Sequence, residues 1–83
     1  MIGPMPIAAA ARDFLNSLSR TPGCRREGLP VIEGMTRHEV EAMLLDLSQR
    51  GLIRVDGPPN QNSDLGKDVD WVELTSLGYM TAD

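Results

Sequence analysis

Thr36-Arg37-His38-Glu39-Val40-Glu41-Ala42-Met43-Leu44-Leu45-Asp46-Leu47-Ser48-Gln49-Arg50-Gly51-Leu52-Ile53-Arg54-Val55 carries the strongest structural signals in the chain. Thr36 followed three residues later by Glu39 is the pattern of a capping box, in which each side chain satisfies the other's free backbone N–H. Val40, Met43, Leu44 and Leu47 then fall on one stripe of a 3.6-residue period. Gly51 stands where a helix stops in the left-handed conformation, and Leu52 supplies the apolar residue that packs back. These signals predict a helix over Arg37–Arg50, then a strand over Leu52–Val55, which is apolar and β-branched.

Outward from this segment, Val69–Leu74 predicts a second strand, with Val69 and Trp71 on one face and Val72 and Leu74 on the other. The thirteen residues of Asp56–Asp68 contain Gly57, Pro58, Pro59, Asn60 and Asn62 and no apolar period, so they predict a long polar hairpin loop. Thr75 caps one or two further helical turns. On the N-terminal side, Ile7, Ala11, Phe14, Leu15 and Leu18 form a helical stripe that Pro22-Gly23 ends. Cys24–Gly34 reads as mixed loop with room for a short helix at Pro30–Glu33 at most. Met1–Pro6 reads as a flexible leader, and residues 7–83 as a single domain.

Composition narrows the function. The chain has 83 residues, 41% hydrophobic and 24% charged, which is enough for one modest core and too little for a two-lobed enzyme or a dinucleotide-binding fold. Its longest apolar run, Ile7–Ala11, falls far short of the roughly 20 residues that cross a bilayer. No basic region precedes an apolar stretch, so no secretory signal is expected, and one cysteine, Cys24, suits a reducing, cytoplasmic setting. Cys24 and His38 are the only soft ligands and leave a four-ligand zinc site incomplete without carboxylates. One Cys and one His without an orienting third group make a nucleophilic pair a chance occurrence. No enzyme activity, cofactor or metal is expected.

The order of helix, short helix, capped helix, strand, long loop and strand is that of a winged helix-turn-helix domain. Gly34–Leu44 resembles its turn and recognition helix. Leu44–Ile53 resembles the segment that leads into the wing, and Leu74-Thr75-Ser76-Leu77-Gly78 is similar to the Leu-Thr-x-x-Gly that follows the wing in bacterial MarR- and PadR-type regulators. The resemblance covers residues 7 to 80. It implies a small α+β fold of three helices, a two-stranded antiparallel wing hairpin and a short C-terminal helix. It also implies a small DNA-binding transcriptional regulator of bacterial or phage type. The second helix is truncated and the dimerising helices of MarR-type proteins are missing, so a homodimer would use helix 7–20 or Trp71.

In that reading Arg37, His38, Ala42 and Gln49 face bases, while Arg25, Arg26 and Lys67 hold phosphates. The charge argues differently. Eight Lys and Arg against twelve Asp and Glu leave a net charge of -4. Across Thr36–Asp70, four cations face seven acids, a balance of -3 that suits counterion release poorly. Glu41 and Leu45 lie on the same outward helix face as the supposed base readers, and neither contacts DNA readily. The alternative is therefore an acidic protein-interaction module, an adaptor or inhibitor, that uses Leu45, Val69, Trp71 and the wing. Residue chemistry favours this second reading and resemblance favours the first.

Overall fold

The computed structural model describes residues 9–82. The leader at 1–6 and Ile7 of the first stripe lie outside the described residues. Three α-helices pack with a three-stranded antiparallel sheet.

Helix α1, Ala9–Ser19, buries Ala11, Phe14, Leu15 and Leu18, the stripe expected from the sequence. Its apolar face is therefore consumed by the chain's own core and is not free for a second copy. Pro22–Cys24 forms one tight 3-10 turn, with Gly23 at φ 70° and Cys24, a non-glycine residue, at φ 56°.

The stretch that follows departs from the mixed loop expected there. Arg25–Glu27 is a strand, β1, which adds to the sheet beside the C-terminal strand. The sheet thus has three strands where two were expected. Three charged residues in a row carry no alternating apolar signal, so only the partner strand, more than forty residues away, reveals the pairing. The short helix fitted to Pro30–Glu33 does not form. A single turn, closed by the Met35 N–H on the Ile32 carbonyl at 3.1 Å, takes its place, and Pro30 is buried.

Helix α2, Arg37–Gln49, is capped as read. The Glu39 N–H donates to Thr36 Oγ1 at 3.2 Å, and the Thr36 N–H donates to Glu39 Oε1 at 2.7 Å. Arg50 is the C-cap. Beyond it, Gly51 takes φ 76°, its N–H reaches the Ser48 carbonyl, and the Leu52 N–H reaches the Leu47 carbonyl, both at 3.0 Å. This is a complete Schellman ending. Val40, Leu44 and Leu47 turn inward and Met43 packs half-buried at the edge of the core.

Strands β2, Ile53–Asp56, and β3, Trp71–Leu74, pair antiparallel, and β3 is central in the order β1-β3-β2. Ile53, Val55, Val72 and Leu74 face the helices and are buried. The opposite face carries two cross-strand rows, Glu27–Trp71–Asp56 and Arg25–Glu73–Arg54. Of the pair expected to share an exposed face, Trp71 does so, whereas Val69 lies ahead of β3 and packs half-buried against the core.

The long loop is more ordered than its composition suggests. Its ladder continues through the Asp70 N–H to Asp56 O, the Asp68 N–H to Pro58 O, and the Asn60 N–H to Gly66 O. Pro59 and Lys67 form an isolated bridge, and Leu65 is buried. Helix α3, Ser76–Thr81, closes the described chain with Thr75 as its N-cap.

Candidate interaction surface

The outward side of α2 was expected to present His38, Glu41, Ala42, Leu45 and Gln49, flanked by Arg37. His38, Ala42 and Gln49 are exposed, as is Arg37. Leu45 is half-buried against the core, while Met80 of the terminal helix stays 80% exposed. Glu41 departs most from expectation: it is 3% exposed, the one buried charged residue among those described.

The long loop between β2 and β3 explains that burial. Its tip folds back over the first turns of α2, where Ser63 Oγ donates to Glu41 Oε2 at 3.0 Å. Beside this bond, His38 Nδ1 lies 3.1 Å from Asp64 Oδ2, and Arg37 Nε lies 3.5 Å from Glu41 Oε2. An Asx turn at Asn60, whose Oδ1 accepts the Asn62 N–H, shapes the approach of the tip. Ser63 and Asp64 carry no signal in the sequence; they are two polar residues in a polar loop. Only the long-range packing brings them to the helix.

The supposed phosphate contacts do not gather on one face. Arg25 lies on the outer face of the sheet, with its guanidinium 4.2 Å from the Trp71 ring centroid. Arg26 sits opposite Val72 on the inward side of β1, and its Nε is buried without a hydrogen-bond partner. Lys67 spends its ammonium on the Val55 carbonyl at 3.2 Å. Of the seven candidate DNA contacts, Arg37, His38, Ala42 and Gln49 share α2, while Arg25, Arg26 and Lys67 lie elsewhere in three separate environments.

On the sheet's outer face, Trp71 is 36% exposed. Its cross-strand neighbours are the carboxylates of Glu27 and Asp56, and Arg25 lies over its ring. Trp and Arg side chains are the residue types enriched at the energetic centres of protein interfaces.

Two grooves complete the relief. One, of about 380 Å³, is lined by Asp13, Phe14, Ser17, Arg26, Ile32 and Glu33. The other, of about 290 Å³, is lined mainly by Leu29, Pro30, Ile32, Met35 and Val40. Neither contains Cys24 or His38, and Val31, 94% exposed, borders both. No helix among the described residues is long and apolar enough to cross a membrane. Comparisons with protein-family models, curated proteins and solved structures found no match to this chain.

Proposed function

We propose that the chain is a non-enzymatic binding module with a winged-helix arrangement, and that its partner is a protein. The order of elements, the capped α2 and the hairpin after it support the winged-helix reading. The cytoplasmic setting inferred from the single cysteine belongs to the same proposal.

One observation carries the choice of partner: Trp71 stands outward on the sheet, stacked with Arg25 and flanked by Glu27 and Asp56. Such a surface suits a partner that presents a lysine or arginine beside an apolar side chain. The cation would meet the carboxylates and the indole together. A DNA reader instead needs its cations convergent on the groove, and here the wing tip brings Ser63 and Asp64 onto the recognition end of α2. The duplex reading keeps one supporting feature, the exposed row of Arg37, His38, Ala42 and Gln49.

Titration of a fluorescent duplex at low salt tests the choice. The expected result is no binding beyond the weak non-specific level, with Kd on the order of 10⁻⁴ M or above. Tight binding whose salt dependence flattens in an Arg25→Ala, Arg26→Ala double variant overturns the proposal in favour of DNA. In parallel, Trp71→Ala is expected to retain the wild-type circular dichroism and to lose a cross-linked protein partner. Unchanged cross-linking counts against the sheet face.

A further inference from the structure

We propose that His38, Glu41 and Asp64 form a binding site for a zinc-class divalent cation, which clips the wing tip to α2. The three residues come from two segments far apart in sequence, and one ligand atom from each lies within 4.8 Å of the others. His38 Nδ1 is 3.1 Å from Asp64 Oδ2 and 3.9 Å from Glu41 Oε1. Bonds of about 2.0–2.1 Å to nitrogen and oxygen place tetrahedral ligands about 3.3 Å apart, so Glu41 must close on His38 by about half an ångström and the two carboxylates on each other by up to about 1.5 Å.

A second observation, independent of the clustering, comes from the carboxylate of Glu41. Its side chain is 4% exposed, and its two oxygens are treated differently. Oε2 accepts the Ser63 hydroxyl and faces Arg37, whereas Oε1 faces the His38 ring, 3.9 Å from its Nδ1. With its side chain 4% exposed, the Glu41 charge is largely withdrawn from bulk water, a cost that a bound cation would offset. Ser63 in turn holds the carboxylate from behind and fixes its orientation, the role that outer hydrogen bonds play for metal-ligating carboxylates. His38 and Asp64 are both exposed, which leaves a path of entry and room for water in the remaining positions.

The donor set selects the cation. One imidazole and two carboxylates suit zinc and its transition-metal neighbours. Calcium and magnesium prefer six or more oxygens and gain little from an imidazole. Two carboxylates also balance the charge of one divalent ion. This inference does not depend on whether the module binds protein or DNA.

The test is calorimetric titration of tag-free, chelator-treated protein with zinc chloride, with cobalt(II) as a spectroscopic stand-in. The expected result is one equivalent bound and visible d–d absorption from the cobalt form. The thermal midpoint should rise by about 10 °C when zinc exceeds its dissociation constant a hundredfold. His38→Gln and Asp64→Asn alter exposed side chains, and each should weaken zinc at least tenfold while leaving the circular dichroism unchanged. Calcium and magnesium at the same concentrations should not shift the midpoint. Absence of stoichiometric zinc binding overturns the proposal. So does zinc binding that both variants retain in full, since the ion would then sit elsewhere, for example at Cys24.

Discussion

Thr75 and Gly78 show why Leu-Thr-x-x-Gly is a physical motif here. The Thr75 hydroxyl donates to the Gly51 carbonyl at 2.7 Å and accepts the Gly78 N–H at 3.0 Å. The Thr75 N–H adds a bond to the Leu52 carbonyl at 3.1 Å, so one residue ties the end of α2 to the start of α3. Gly78 then lies so close to the Leu52 carbonyl that a Cβ built on it would stand 2.0 Å from the oxygen and 2.7 Å from Leu74 Cδ1. Backbone must move to admit it. Gly78→Ala is therefore expected to lower stability by about 2–3 kcal/mol in urea unfolding. Gly66→Ala, at φ 82° with open space around it, should cost only about 1 kcal/mol. Equal losses at the two sites would show that close packing at Gly78 is not the cause.

At the scale of elements, what the sequence reveals depends on how far apart the partners lie. Thr36, Glu39 and Gly51 announce α2 because every cap partner is within five residues. The stripe of α1 is equally local, and Ile53, Val55, Val72 and Leu74 mark β2 and β3 by their alternation. The strand β1 is hidden because Arg25, Arg26 and Glu27 gain their structure only from β3. The burial of Glu41 is hidden for the same reason: a helical wheel places it outward, and the tip of the β2–β3 loop, 22 residues further on, covers it. The candidate site was therefore legible in its helix half and illegible in its loop half. The wing contact has its own consequence. Ser63→Ala removes the hydroxyl from a buried carboxylate, a loss of about 1.5–3 kcal/mol for a bond to a charged group. The expected outcome by amide hydrogen exchange is faster exchange at the Asn60, Leu65 and Gly66 N–H groups with α1 unchanged. Protection that persists at all three would show that Ser63 does not hold the wing.

Among the described residues, thirteen buried apolar side chains from α1, α2, the sheet, Leu52 and Leu65 make a single core, with Phe14 its only aromatic. A domain of this length has about 4–12 kcal/mol of net stability. Leu44 is fully buried at the centre of α2, and Leu44→Ala is expected to cost about 3 kcal/mol, a large share of that total. Chemical denaturation should then show a midpoint lowered by about a quarter or more with an unchanged slope. A loss under about 1 kcal/mol would mean that the core refills the space. The sheet's inner face belongs to this core and its outer face does not, so the face with Trp71 can lose its indole without the fold losing its support.

The proline pair of the β2–β3 loop has a consequence for how copies of the chain avoid one another. Because β2 is an outer strand, its free side would invite a neighbouring sheet to continue the ladder. Pro58 and Pro59 follow one residue after it; Pro58 points its carbonyl inward to Asp68, so Pro59 points to the open edge, where an incoming strand finds no donor. Asp56 and Arg54 add alternating charge just before them. The same hairpin that reaches across to α2 thus also guards the edge of the sheet against runaway polymerisation.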